Sequence, residues 1–407
     1  MKTYSVLALI LIAQLFPLLS CEKIAVNPVI TIPSVVNQYI HYDSPEDSIR
    51  VFEKGEKLSY ELTHPLAKFK KPGDLMVHVS TFCIIDNVVY MTYYANRINA
   101  EESPNHHIAR FVKCNLNSPE NKEYYDIQGA ELSGLSIDKT SFDGKTVSQL
   151  YDIILISVDN RTIYIMWTAA LDGNYTRLYQ TYDTKTGEFG PIAYNYFAVN
   201  GESSIMDIKG IEALLTTNGI EHKPLTLDIG IMQKISKRWE RGEVYYYTGC
   251  YANKFNCIIK SKDLITWEYV SSPDFTNLSQ FENAVYVKGN KVYYFCRQEQ
   301  SEQEGFLSFY NLDNNSWYHP VYINDAQSRS DFIEYRGHLY AIHAPYDRNH
   351  IAITQLELQR LENSKEEIVA IVPDYFYPYT LEYNDKLYMS FTAGRQDIYL
   401  SQFSIDN

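Results

Sequence analysis

The sequence predicts an all-β fold, a six-bladed β-propeller whose ring is closed by an N-terminal strand, with seven blades as the alternative. Three observations predict it. A hairpin signature recurs along the chain, and its last copies are evenly spaced. The composition is rich in Tyr and Phe, 36 and 18 residues, which suit half-buried pleated surfaces.

The signature is a short apolar strand, a polar turn, then an aliphatic residue followed by Tyr. Its copies end at Tyr90, Tyr164, Tyr245, Tyr293, Tyr340 and Tyr388, and the last three intervals are 48, 47 and 48 residues. That is the period of a four-stranded blade. The Asp-Asn, Arg-Gly, Gly-Asn and Asn-Asp turns tolerate φ > 0, as tight hairpins require. The first two intervals, 74 and 81 residues, leave room for inserted loops or for a degenerate blade between Pro191 and Lys237. The sequence given stops after the third strand of the last copy. The fourth is therefore expected from the N-terminal segment, for example Ile49 to Leu62, so that no edge stays open.

The first residues read as a targeting segment. Lys2 precedes the apolar run Val6 to Leu19, which is too short to span a membrane. Leu18-Leu19-Ser20-Cys21 resembles the bacterial lipobox. The expected organisation is a lipoprotein-type signal peptide over 1–20, lipidated Cys21, a linker over 21–47 and a single propeller over 48–407. The protein is then exported and lipid-anchored to the bacterial cell envelope, facing the periplasm or the cell surface, with membrane contact only through Cys21. A monomer is expected. A net charge of −14 argues against nucleic acid as a partner, but an anionic sugar needs only a local basic pocket. Cys250 and Cys257 flank a turn symmetrically. A bridge across a hairpin and a reduced pair on opposite faces are both open. No CxxC or Cys/His ligand set occurs, so no metal and no other cofactor is expected.

Ser261-Lys-Asp-Leu-Ile-Thr-Trp267 resembles the Asp-box of the sialidase superfamily, short by one residue and without its glycine. Weaker echoes lie at Tyr182 to Phe189 and Tyr310 to Trp317. The C-terminal third resembles the sialidase site. Glu282 in Gln-Phe-Glu-Asn and Arg297 in Tyr-Tyr-Phe-Cys-Arg-Gln look like its glutamate and an arginine, and Arg348 like a further arginine. Tyr377 or Tyr379, in Tyr-Pro-Tyr-Thr-Leu, looks like its tyrosine nucleophile.

That resemblance implies an exported glycoside hydrolase acting on an acidic sugar, sialic or uronic, in a glycan. Arginine forks hold a carboxylate bidentately, and a glutamate beside a tyrosine can take its proton. The first-blade arginine of the family is missing; the stretch Leu75 to Thr81 has His78 at or beside its place. The following loop, Arg97 to His107, lacks the expected aspartate and offers Glu102 instead.

His78 with His106 and His107 also resembles propeller enzymes of uronic-acid polysaccharides, in which histidine handles a proton. A polysaccharide lyase acting at a uronate is thus one alternative, and a non-catalytic glycan-binding lipoprotein another. The expected site comprises Glu282, Tyr377, Tyr379, His78 and Glu102 for chemistry. Arg297, Arg348, His343, Tyr346 and Trp167 are expected to bind substrate, and Tyr94 and Tyr251 could floor a sugar subsite.

Overall fold

The computed structural model describes residues 61–405 apart from 227–229, 232–233, 253–254, 274, 276–277, 299–304, 324–325 and 346–347. The expected signal peptide, Cys21, the expected linker over 21–47 and Tyr346 lie outside the described residues, as does most of the Ile49 to Leu62 segment.

The fold is all-β, a β-propeller in which 59% of the described residues are strand and 7% helix. Five blades are counted, not the six expected nor the seven of the alternative. The described strands nonetheless fall into six hydrogen-bonded sheets. Each repeat tyrosine sits near the start of the second strand of a different sheet. The seven-stranded sheet departs from a four-strand meander. In it the Thr266–Ser271 strand pairs in parallel with Tyr196–Val199, and its first strand is broken into Gly230–Ile231 and Ser236–Glu240, both pairing with Glu243–Tyr251. The long second interval supplies that inserted hairpin and the helix Ile208–Thr217, capped by Asp207 accepting from the Gly210 N–H.

The short strand Ala67–Lys68, later in the chain than Ile49 to Leu62, pairs antiparallel with Asp397–Phe403 and gives the last sheet its fourth strand. The turn that resembles an Asp-box lies between the Asn256–Ser261 and Thr266–Ser271 strands. Asp263 accepts the Ile265 and Thr266 N–H groups, each at 2.8 Å, and Trp267 is buried. Leu264 takes φ +64° where a glycine would be unstrained.

The first strand of each sheet lies at the axis. Neighbouring first strands are tied by side chains that cap the next strand's backbone. Thr81 Oγ1 accepts from Leu155 N–H (2.9 Å), Ser236 Oγ from Val287 N–H (3.0 Å) and Asp331 Oδ2 from Thr380 N–H (2.6 Å). Toward their C-terminal ends the first strands surround a cavity of about 520 Å³, lined among others by Phe82, Ile156, Lys234, Phe332 and Tyr379.

One prediction follows from the ties. Thr81→Val keeps shape but strands the buried Leu155 N–H, so urea denaturation should show a loss of about 1–3 kcal/mol.

Candidate active site

At the other end of the axis, the starts of the first strands carry charge. Glu282 immediately precedes the Asn283–Lys288 strand. Arg297 follows the next strand, and its N–H donates to the Glu282 carbonyl at 2.9 Å. The backbone thus fixes the two side chains together, and Arg297 Nη1 donates to Glu282 Oε2 at 2.6 Å. The Tyr377 hydroxyl donates to the same oxygen at 2.8 Å and accepts from Arg297 Nη1 at 2.9 Å.

Two residues that the sequence reading missed complete this core. Arg329, 2% exposed, reaches Glu282 Oε1 through Nε at 2.8 Å and also binds Asp152. Its guanidinium carbon lies 5.2 Å from the Tyr377 ring centroid. Asp152 in turn accepts from the Tyr251 hydroxyl at 3.0 Å, and its carbonyl accepts from Arg177.

A repeated backbone device aims three of the side chains. The Met76–Ile85, Lys145–Ser157 and Tyr375–Tyr383 strands each shift register at the site, between His78 and Thr81, Tyr151 and Ile154, and Phe376 and Tyr379. Within those irregularities Val79, Asp152 and Tyr377 take φ of +54°, +48° and +58°. Such a bulge inserts a residue and re-aims its neighbours. It also separates the two candidate tyrosines, which would share one face of a regular strand. Tyr377 turns into the charged cluster. Tyr379 instead packs against Phe82 and under Lys234 Nζ, 4.6 Å from its ring, at the axial cavity.

His78 borders the cluster, its ring 4.4 Å from that of Tyr377. Nδ1 is 2.9 Å from Thr392 Oγ1, whereas Nε2 makes no hydrogen bond and lies 3.9 Å from Glu102 Oε1. Glu102 accepts from the Tyr94 hydroxyl at 2.5 Å and from Arg395 Nε at 2.6 Å. Arg395 and Arg348 both lie over the Phe376 ring, at 5.2 and 4.6 Å. Among the described residues, no carboxylate pairs with Arg348; its Nε donates only a long bond, 3.4 Å, to the Gln327 carbonyl. Of the two adjacent histidines, His107 is the buried one. It stacks on Tyr94 at 4.4 Å and bonds the Leu150 carbonyl at 2.7 Å.

Other expected residues stand elsewhere. Trp167 is fully buried in the core, its indole N–H on Gln128 Oε1, and has no surface to offer a sugar. His343 is buried against Phe295, with Nε2 2.8 Å from Glu366. Neither reaches the cluster: the indole N–H and the imidazole Nε2 are taken up by Gln128 and Glu366 inside the core. Tyr94 and Tyr251 spend their hydroxyls on Glu102 and Asp152, and both rings are buried.

The charges set the protonation states. Burial raises the Glu282 carboxyl, but Arg329, Arg297 and the Tyr377 hydroxyl outweigh it and bring the pKa to about 2. Burial likewise raises Glu102, yet His78, Arg395 and Tyr94 bring it to about 2. Burial pushes His78 down to about 3 despite Glu102. For Tyr377, burial and then Glu282 push the hydroxyl well up against three guanidiniums. Near neutral pH Glu282 and Glu102 are therefore carboxylates, His78 a neutral imidazole and Tyr377 a protonated tyrosine.

No family model matches the sequence, and no curated protein matches it. Solved structures do. A Trypanosoma rangeli sialidase in complex with 2,3-difluoro-KDN aligns with a TM-score of 0.52 at 14% identity, over 80% of this chain and 53% of that one. The same enzyme with 2,3-difluorosialic acid, titled a covalent intermediate, aligns with 0.52 at 13% identity over 80% and 54%. A Hadza microbial sialidase gives 0.54 at 9% identity, over 83% and 68%. The fold is that of a sialidase propeller. The chain spans about half the length of the Trypanosoma rangeli enzyme, and at these identities the likeness concerns fold alone. In this sialidase-like propeller the cluster lies where the first strands begin.

Two predictions come from this geometry. Arg329→Met leaves Asp152 buried without its cation and should cost about 3–5 kcal/mol in chemical denaturation, as does breaking any buried pair. Adding Asp152→Asn should recover a large part, and strict additivity of the two would contradict the pairing. The second concerns acid. His78 binds a proton less readily folded, at about 3, than at the ordinary imidazole value of 6.5. Its contribution is complete above 6.5 and is lost as pH falls toward 3. His78→Gln should flatten stability against pH between 6.5 and 4 by on the order of 2 kcal/mol.

Proposed function

We propose that the protein is a sialidase-like glycoside hydrolase that removes a terminal acidic sugar, sialic or uronic, from a glycan, with Tyr377 as nucleophile. The observation that carries this reading is the Tyr377 hydroxyl held between Glu282 and Arg297 beside Arg348, a guanidinium without a carboxylate partner. Arg348 takes the substrate carboxylate, for which a guanidinium fork is suited. The Tyr377 oxygen attacks the anomeric carbon while its proton passes to Glu282 and the glycosidic C–O bond breaks, the aglycone oxygen taking a proton from solvent water as it leaves and a glycosyl-tyrosine remaining.

The resting proton belongs to tyrosine, since Glu282 is held near 2 and Tyr377 is raised. Transfer therefore accompanies attack instead of preceding it, and Arg297 stabilises the oxygen as charge develops. Neither Glu102 nor His78 has a proton to donate near neutrality. Their part is to take one from the water that releases the sugar in the second step. The titled covalent intermediate of the Trypanosoma rangeli sialidase supports looking for such an adduct.

One observation favours a second reading. The neutral His78 leaves Nε2 without a hydrogen bond beside a protonated Tyr377. A base and an acid so placed suit removal of a uronate C5 proton and protonation of the leaving oxygen, a β-elimination.

Turnover of sialosides and uronides with a chromogenic leaving group tests both. Tyr377→Phe should lower kcat by about 10²–10⁴-fold with KM little changed. Arg348→Met should instead raise KM, by on the order of 10–100-fold. An unsaturated, ultraviolet-absorbing product would replace hydrolysis with elimination. Binding without turnover by the unaltered protein would leave a glycan-binding propeller.

A further inference from the structure

We propose that Cys250 and Cys257 are a modification site: in an oxidising compartment they close to a cross-strand disulfide that staples the hairpin carrying Tyr251 and Asn256 into the site.

The register supports it. The Glu243–Tyr251 and Asn256–Ser261 strands pair antiparallel with Cys250 directly opposite Cys257. Directly opposite residues point to the same face, which removes the arrangement with the thiols on opposite faces. The Ala252 N–H donates to the Phe255 carbonyl, so the ladder's alternation makes Cys250 and Cys257 a hydrogen-bonded pair. Their Cα atoms are then about 5.5 Å apart, inside the range that a disulfide bridges. Both thiols are buried and free, and that of Cys257 interacts with that of Cys250.

The residues next to the pair explain what a bridge would hold. Tyr251 follows Cys250 and donates to Asp152, the counter-ion of Arg329. Asn256 precedes Cys257, and its Nδ2 donates at 3.1 Å to the carbonyl of Phe281, the neighbour of Glu282. Both hydrogen bonds leave from the end of one hairpin. A covalent link one residue below each fixes the separation of the two strands there. Tyr251 and Asn256 then keep their reach to two walls of the site.

The chemistry balances with a disulfide donor such as glutathione disulfide. The Cys250 and Cys257 thiols give up two electrons and two protons, one S–S bond forms between them, and the donor leaves as two molecules of glutathione. Because both sulfurs are buried, exchange takes place before the hairpin has closed, during folding.

The test does not depend on the proposed reaction. The full chain is folded with reduced and oxidised glutathione, unfolded, alkylated with iodoacetamide and mapped by peptide mass spectrometry, before and after reduction. Cys83, Cys114 and Cys296 should alkylate without reductant, and Cys250 and Cys257 only after it. Thermal unfolding supplies a second readout. Reductant should lower the Tm of the unaltered protein by on the order of a few degrees and leave that of Cys250→Ser/Cys257→Ser unchanged. Alkylation of Cys250 and Cys257 without reductant, pairing of either with Cys296, or an equal Tm shift in the double variant would overturn the proposal. A bridged protein that turns over no sugar would instead count against the glycosidase reading alone.

Discussion

The ion cluster of Arg329, Glu282 and Asp152 is the interaction on which the rest of the site depends. Each charge alone would be costly to bury, because desolvation of an ion in a protein interior amounts to several kcal/mol. Here each answers another: Arg329 is shared between two carboxylates, and Glu282 between two guanidiniums and a tyrosine hydroxyl. The members come from different sheets, so neutralisation crosses sheet boundaries, although Arg297 also answers Glu282 within one sheet. Assembly at the axis is therefore coupled to neutralisation, and a displaced sheet would expose an unpaired ion to a dry interior.

The bulges show how this is reached from a regular scaffold. A β-strand alternates its side chains with a period of two, which alone would set Tyr377 and Tyr379 on one face. Three first strands break that period at the same level, each with a non-glycine residue at positive φ. Such conformations cost of order 1–3 kcal/mol apiece. Hydrogen bonds on the re-aimed side chains offset this, from Tyr251 and Arg329 to Asp152 and from Tyr377 to Glu282. Strain and ion pairing are parts of one arrangement.

That coupling also explains what was legible in the sequence. The sheets were, because turn chemistry and the tyrosine after each turn are local signals, and the six marked tyrosines fall in six sheets. Five blades are counted nonetheless, and the insertion between Pro191 and Lys237 joined a mixed sheet in place of making a blade. Glu282, Arg297 and Tyr377 could be picked out by their order along the chain. Arg329 and Asp152 could not, since neither lies in a distinctive motif and each acquires meaning only across sheets. Trp167 and His343 were chosen for their places along second strands, which do not reveal that both side chains are wholly buried.

Charge gives the site its asymmetry. The chain carries a net −14, yet around Tyr377 four guanidiniums, Arg297, Arg329, Arg348 and Arg395, face three carboxylates, Asp152, Glu102 and Glu282. His78 adds no charge there, being neutral down to about pH 3. Among the described residues Arg348 is a half-buried cation there that no carboxylate pairs. An anion such as the proposed acidic sugar would thus be repelled by the body of the protein at long range and attracted only within the mouth of the site. At physiological ionic strength the Debye length is about 8 Å, so the distant repulsion is screened while the partly buried guanidinium keeps its pull. Under the proposed function, selection for acid would then rest mainly on Arg348 over Phe376, and the neutral imidazole beside Tyr377 leaves its side of the pocket to hydrogen bonding instead of charge.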